Sequence, residues 1–293
     1  MVSLEVAEEA MGRRGKIAEG LILLEKPELI DLFLTYQNEA EAARRFLEKS
    51  LAELHTGAEI LEVGGGILAL AIQLASEGFR VTTVEPVGEG FTGISFIMNI
   101  FTEIARKEDL SFNLIKLPIE ECKFDQKFDF IFSINVMEHL HDPYSVLLQL
   151  VKNLQAVGKY RFFCPNYDFP YEPHFGKWMF LRNNKAFHLQ ERRAYSLLNP
   201  SHETLGLYRS LNFITLNKVS KFSDLSKIQN TSNRNAFFNL LERVVSDKKL
   251  SARHSAMASI VKLVYVFKLH YFAKLMPKRF QPVMDFEASS LEM

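Results

Sequence analysis

Three consecutive glycines, Gly64, Gly65 and Gly66, form the segment of this 293-residue chain best suited to hold a ligand. They follow a short apolar run, residues 60–63, and precede a run with helical character, residues 68–77. Because glycine has no Cβ, such a turn lets backbone amides and a helix N-terminus approach a bound molecule closely. The pattern predicts a strand, a ligand-binding loop and a helix in succession.

Two acidic residues narrow the choice of ligand. Glu85 follows the next strand-like run, 19 residues after Gly66, where a carboxylate can accept hydrogen bonds from both hydroxyls of a ribose. Glu62, at the end of the first strand, would repel a pyrophosphate but attract a positively charged amino acid moiety. Glu62 therefore favours S-adenosylmethionine over NAD.

The glycines alone leave other functions open. The spacing Gly64-x-Gly66-x-x-Ala69 also satisfies the dinucleotide fingerprint, so an NAD-dependent oxidoreductase is the alternative function. A cofactor-binding scaffold without catalytic activity is a third hypothesis. The mass of a copurified ligand and activity on an acceptor would separate the three.

The elements that must position these residues follow an alternating pattern. Helix-length segments separate short strand-like runs, which is typical of βαβ units and a parallel sheet. Asp142 and Pro143 predict the start of the helix after the fourth strand. The predicted fold is a doubly wound, Rossmann-like α/β sheet of seven strands with added N-terminal helices and an α-rich insertion before the last strand. The predicted strands are 60–63, 81–84, 112–115, 128–134, 160–164, 213–219 and 282–287.

These motifs resemble those of class I S-adenosylmethionine-dependent methyltransferases. The run from Glu62 to Gly66 is similar to their first motif, Glu85 to their ribose-binding acid, and residues 128–133 to their fourth strand. Residues 135–143 resemble a segment of the ubiquinone-type O-methyltransferases. The resemblance covers about residues 57–220 and implies methyl transfer from S-adenosylmethionine to a small-molecule, lipid or sugar acceptor, with oxygen as the expected atom.

The resemblance also implies further cofactor contacts. Ile119, with Glu120 beside it, corresponds to the adenine-binding position, and Asn135 to a cofactor contact after the fourth strand. Some relatives bind a metal through two acids and a histidine in this segment, but Asn135 breaks that pattern and leaves only Glu138 and His139. Hard cations need more oxygen ligands, so we expect no metal.

Candidate catalytic and acceptor-binding residues follow the fourth and fifth strands. His139 is either a general base on an acceptor hydroxyl or a histidine bonded to the backbone at a helix start. A loop rich in proline and aromatic residues, 165–200, follows the fifth strand, where acceptor pockets open in doubly wound sheets. We expect its polar and aromatic residues to line that pocket, against the alternative of loop packing: Tyr167, Tyr171, Glu172 and His174.

Composition excludes several classes of protein. Lys plus Arg and Asp plus Glu both number 35, so no overall basic excess marks a nucleic-acid binder. The two cysteines, Cys122 and Cys164, form neither a disulfide framework nor a zinc motif, which fits a reducing compartment. No signal peptide or spanning segment is recognised, and we expect a cytoplasmic protein. The oligomeric state is not predicted.

Charge is unevenly distributed along the chain. Residues 243–280 contain nine Lys or Arg against one acid, Asp247. On a single helix Lys262, Lys268 and Lys274 would point in three directions, so the apolar run 260–275 forms no simple amphipathic helix. A helix packed on the domain, a strand, and peripheral contact with an anionic membrane surface all stay open.

We therefore divide the chain into four parts: an N-terminal helical segment, 1–56, a methyltransferase core, 57–221, a basic and mostly helical insertion, 222–281, and a final strand and tail, 282–293.

Overall fold

The computed structural model describes residues 26–86, 92–172, 177–178, 210–247 and 255–289. The chain forms two compact units, Met1–Ile131 and Phe132–Met293, which are described separately below. Seven strands form one sheet, in the order β3 (Phe112–Ile115), β2 (Arg80–Val84), β1 (Glu59–Val63), β4 (Phe128–Ile134), β5 (Leu154–Pro165), β9 (Val283–Ser289) and β8 (Asn230–Ser232). The boundary between the units lies within β4. The predicted seven-stranded α/β fold is confirmed.

The first unit contains the predicted alternation of strands and helices. Its elements in chain order are α1 (Ile30–Ala52), β1 (Glu59–Val63), α2 (Ala69–Ser76), β2 (Arg80–Val84), α3 (Thr92–Lys107) and β3 (Phe112–Ile115). Strands β1, β2 and β3 are parallel, with Ile60 opposite Val81 and Val81 opposite Phe112. Because parallel strands end at the same edge, the residues after β1, β2 and β3 lie along one edge of the sheet.

The N-terminal helix α1 packs against α3 in the first unit. Phe33 is fully buried in a cluster that includes Ile97 and Phe101, and the rings of Phe33 and Phe101 lie 6.2 Å apart. The helices approach closely at Gly93, where a Cβ would lie 2.9 Å from Leu32 Cδ2. Close packing of this kind holds α1 against the ligand-binding half of the fold.

The second unit begins within β4 and ends with an antiparallel ribbon. Its elements are α4 (Pro143–Lys152), β5 (Leu154–Pro165), the short pair β6 (Tyr171–Glu172) and β7 (Lys177–Trp178), α5 (Leu216–Leu225), β8 (Asn230–Ser232), α6 (Ala236–Ser246), α7 (Ser255–Val266) and β9 (Val283–Ser289). The Asp142 carboxylate accepts hydrogen bonds from the amides of Tyr144 and Ser145, as predicted for the start of α4. Strand β9 pairs antiparallel with both β5 and β8.

The strand predicted at 213–219 is wrong. The Thr215 hydroxyl accepts a hydrogen bond from the Lys218 amide and caps helix α5, which buries Leu216, Val219 and Ser223 on one face. The apolar residues in this short run fit either a strand or the first turn of a helix, and the cap decides between them. The seventh strand of the sheet is instead β8, a three-residue polar edge strand.

The basic insertion is largely helical where it is described. Helix α7 ends at Val266, Lys268 takes a left-handed conformation with φ of 57°, and a 3-10 helix follows over Leu269–Lys274. The three lysines therefore do not share a single helix, because α7 stops before the second of them. Within the described ranges, no helix has both the length and the apolar character needed to span a membrane.

We predict that Leu68→Gly is more stable than Leu68→Ala, which is the reverse of the usual order within a helix. Leu68 is fully buried, yet it has a φ of 70° at the N-terminus of α2. Both Leu68→Ala and Leu68→Gly lose about 2–5 kcal/mol of packing. Only Leu68→Gly relieves the left-handed backbone, so it should be about 1 kcal/mol more stable than Leu68→Ala in urea unfolding.

The matched control is Leu74, which is fully buried in the interior of α2. There the usual order should hold, with Leu74→Gly about 1 kcal/mol less stable than Leu74→Ala. The same order at Leu68 and Leu74 would show that the left-handed backbone at Leu68 stores no strain.

Candidate functional site

The glycine loop is fixed to the end of β2. The amides of Gly64 and Gly65 both donate to the Val84 carbonyl, at 2.8 and 3.3 Å. Gly64 and Gly66 have φ values of 87° and 52°, a backbone region that L-residues with a Cβ rarely enter. These bonds and conformations hold the loop in the sharp turn that the sequence predicted.

Gly65 faces the side chains at the strand ends. A Cβ at this position would lie 2.2 Å from Thr83 Oγ1 and 3.5 Å from Glu62 Oε2. A contact of 2.2 Å is impossible for real atoms, so a side chain at residue 65 would displace Thr83. The lack of a Cβ at Gly65 is thus required by the packing of the loop against Thr83.

Glu85 links the glycine loop to the end of the next strand. Its Oε2 accepts a hydrogen bond of 2.8 Å from the Gly66 amide, and its own amide donates to the Ile115 carbonyl at 3.0 Å. Burial raises the pKa of this carboxyl, while the bond from Gly66 opposes that rise. The predicted glycine loop and ribose-binding acid are therefore in direct contact.

Glu62 is a buried acid beside the same loop. It accepts a 2.9 Å hydrogen bond from the Thr83 hydroxyl. Burial raises its pKa to about 8, the Thr83 bond lowers it, and the negative charge of Glu85 raises it further. A carboxyl in this state gains a favourable interaction with a positively charged group, which would stabilise its ionised form.

Tyr36 is a residue of this region that sequence reasoning missed as a site residue. It projects from α1, and a Cβ on Gly66 would lie 3.2 Å from Tyr36 Cδ1. The ring therefore covers the third glycine of the loop. Its spacing marked it only as part of an apolar helix face, and no local pattern connects it to a loop 30 residues later.

The predicted adenine-binding residues follow β3 in a short 3-10 helix, Ile119–Glu121. Ile119 is buried and Glu120 is exposed. They continue from the same sheet edge as the glycine loop and Glu85, since β1 to β3 are parallel. The adenine contact itself stays a prediction.

In the second unit, residues after β4 are held by a segment about 70 positions later. The Asn212 side-chain amide donates to the carbonyls of Met137 and Leu140, at 2.7 and 2.8 Å. Asn135 has a φ of 55°, and its amide donates to the Phe163 carbonyl. His139 Nδ1 lies 2.7 Å from Ser210 Oγ. The imidazole of His139 is thereby oriented by a side chain as well as by its own backbone.

The predicted acceptor residues occupy different environments. Tyr167 is only 2% exposed, its amide donates to Ile214, and its ring meets that of Phe213 edge-on at 5.3 Å, an arrangement typical of packing. Tyr171 and Glu172 form β6, with Tyr171 half-buried. His174 lies outside the described residues. None of the four assignments to an acceptor pocket is tested by these positions.

No cluster of three or more His, Cys, Asp or Glu that could hold a metal ion occurs among the residues that the structure describes. Glu138 is buried, and burial raises the pKa of Tyr160 and Cys164, with a smaller contribution in the same direction from Glu138. The expected independence from metal stays a prediction.

Comparison with known proteins identifies the family. The methyltransferase domain family matches residues 35–200. The uncharacterized protein Rv1509 of Mycobacterium tuberculosis is 36% identical over 249 residues, 84% of each chain. A ubiquinone biosynthesis O-methyltransferase of Rickettsia typhi is 31% identical over 100 residues, 34% of this chain and 38% of that protein.

Among solved structures, geranyl diphosphate C-methyltransferase from Streptomyces coelicolor, in complex with magnesium, a substrate analogue and S-adenosylhomocysteine, has a TM-score of 0.50. It is 10% identical, and the match covers 85% of this chain and 74% of that chain, so this likeness concerns the fold.

The chain belongs to the methyltransferase domain family. It is a class I S-adenosylmethionine-dependent methyltransferase, as its first motif and ribose-binding acid had indicated.

We predict that Glu62 makes the ligand-free protein less stable as the pH rises. Its pKa is about 8 in the folded chain, against 4.5 for an ordinary glutamate, so the folded state holds the proton more tightly. Its contribution to stability is complete below pH 4.5 and is lost as the pH rises through 8.

Within that window the slope amounts to at most about 1.4 kcal/mol per pH unit. Urea unfolding at a series of pH values should show a flatter profile for Glu62→Gln than for the parent chain, whereas Glu103→Gln, at an exposed position on α3, should keep the parent profile. An unchanged slope in Glu62→Gln would refute the prediction.

Proposed function

We propose that this enzyme transfers a methyl group from S-adenosylmethionine to an oxygen of a small-molecule, lipid or sugar acceptor. The direct bond between Glu85 and the Gly66 amide carries the cofactor part of this proposal, since it joins the proposed ribose-binding acid to the glycine loop. The matched segment of the Rickettsia typhi O-methyltransferase supports oxygen as the atom methylated.

Each candidate cofactor residue has a separate task. Glu85 would accept hydrogen bonds from the ribose hydroxyls, and the turn at Gly64, Gly65 and Gly66 would admit the ligand close to the backbone. Ile119 would pack on the adenine with Glu120 beside it, and Asn135 would add a further contact to the cofactor. When bound, the cofactor supplies a methyl group activated by a positively charged sulfur.

Glu62 favours this cofactor over a dinucleotide. A buried carboxyl beside Gly65 would be ionised by a nearby positive amino acid group, whereas the negative pyrophosphate of NAD would keep it protonated and would gain no charge attraction from it. Binding of the positive ligand should therefore release a proton from Glu62 near neutral pH. The oxidoreductase alternative would need the opposite electrostatic arrangement.

We predict that Glu85→Ala weakens binding of S-adenosylmethionine by roughly 10-fold to 150-fold. Loss of charged hydrogen bonds to the ribose hydroxyls costs about 1.5–3 kcal/mol. Titration calorimetry measures the change, with Glu103→Ala as a control for the removal of an exposed acid. Unchanged affinity in Glu85→Ala, or tighter binding of NAD than of S-adenosylmethionine by the parent chain, contradicts the assignment.

His139 is the residue that would remove a proton from an acceptor hydroxyl. Its Nδ1 is 2.7 Å from Ser210 Oγ, which fixes the ring orientation, and Asn212 fixes the backbone on both sides of it. A positioned imidazole of this kind suits general base catalysis. The remainder of the rate would come from alignment of acceptor and methyl group.

We predict that His139→Gln lowers kcat about 10²-fold or more, with little change in the dissociation constant of the cofactor. A screen with methyl-labelled cofactor would first supply the hydroxyl acceptor for these assays. Ser210→Ala should lower kcat by a smaller factor, because it loosens the ring without removing it. Full kcat in His139→Gln would leave this histidine as a structural residue.

A further inference from the structure

A large apolar surface is exposed in the second unit. Of the twelve large apolar side chains exposed in the described part of the chain, eight lie between residues 260 and 275. Their exposed fractions run from 48% to 77%. We call this group the apolar face: Ile260, Leu263, Val266, Phe267, Leu269, Tyr271, Phe272 and Leu275.

Helix α7 has one side turned inward and an apolar side turned outward. Ala258 and Val261 are buried, whereas Ile260, Leu263 and Phe267 are exposed at the spacing i, i+3, i+7. This spacing places Ile260 and Leu263 on the side of the helix opposite the buried residues, and Phe267 continues that stripe just past the end of the helix. A surface helix with polar residues outward would show the reverse pattern.

The inner face is already filled by a small core. Phe238, Leu241, Val261 and Ala273 form a buried cluster between α6, α7 and the following 3-10 helix. His270 is buried too and stacks on Tyr265 at 4.1 Å, which fixes the turn after α7. The apolar face is therefore held outward by the core beneath it.

The charges in the segment that carries the apolar face have one sign. Lys262 and Lys268 are exposed in the same stretch of sequence, and Lys278 and Arg279 follow shortly after. Lys274 lies over the Phe238 ring at 4.0 Å and belongs partly to the core. The sequence has no Asp or Glu between residues 248 and 284.

We propose that the apolar face docks on the surface of an anionic phospholipid bilayer, with its phenylalanine, leucine and isoleucine side chains in the headgroup region. Exposed apolar patches of this extent mark interaction sites, and the flanking lysines fit negatively charged headgroups. A symmetric contact between two copies of this segment would bring lysines against lysines, since the segment itself holds no acid to pair them. The charge pattern therefore favours lipid over a second copy.

Cosedimentation of the full chain with phospholipid vesicles tests the proposal. We expect binding to phosphatidylcholine vesicles that contain phosphatidylglycerol, weaker binding without phosphatidylglycerol, and a decrease between low and physiological salt. The double variants Leu263→Glu/Phe267→Glu and Lys262→Glu/Lys268→Glu should each lower partitioning by roughly tenfold or more.

Helix α5 offers matched controls in the same unit. Leu225 is 76% exposed, so Leu225→Glu is the control outside the apolar face for the single variant Leu263→Glu, and Lys218→Glu/Lys221→Glu is the matched double change in charge. Both controls should partition as the parent chain does. Equal losses in the control and test variants would overturn the proposal, because binding would then follow overall charge or hydrophobicity.

Fluorescence quenching measures contact with lipid directly and does not depend on the loss of vesicle binding in a variant. In Phe267→Trp the new indole should be quenched by brominated lipids, beyond the background from Trp178 in the parent chain. Absence of both vesicle binding and quenching overturns the proposal. A second outcome would also overturn the proposal: light scattering shows a dimer, Leu263→Glu/Phe267→Glu dissociates it, and the parent chain does not bind vesicles. The second copy would then occupy the apolar face.

Discussion

The attachment of the glycine loop to the end of β2 is the constraint on which the cofactor site depends. Two loop amides share the Val84 carbonyl, and the third bonds the Glu85 carboxylate. These bonds fix the loop to the end of β2, so Glu85 and the glycine turn keep the same relative position. Gly65 adds a steric constraint, because a Cβ at this position would clash with Thr83.

Local patterns predicted the parts of this site that lie close together in sequence. The strand, the glycine turn and Glu85 were predictable because a βαβ unit brings them to one sheet edge by its own geometry. Tyr36 was not, because its approach to Gly66 depends on how α1 packs on α3. The same holds for Asn212, whose bonds to Met137 and Leu140 span about 70 residues.

The wrong prediction of a strand at 213–219 shows that apolar periodicity does not distinguish a strand from a helix in a short run. A short run with apolar residues at mixed spacing satisfies both strand and helix templates, and a single hydroxyl at Thr215 is enough to favour the helix. Strand β8 is polar and shows no apolar alternation in the sequence. Only its pairing with β9 in the sheet defines it as a strand. Edge strands of this kind are visible only in the assembled sheet.

Asn166 has a consequence for how this protein can vary. Its buried side-chain amide accepts from the Leu216 amide and donates to the Gln281 carbonyl, so the chain leaves and returns at one residue. The segment between those two points, which includes the helices that carry the exposed apolar side chains, therefore begins and ends at one buried side chain, and β8 joins it to β9 in between. A change in the length of those helices would leave both Asn166 bonds in place as long as β8 keeps its pairing with β9.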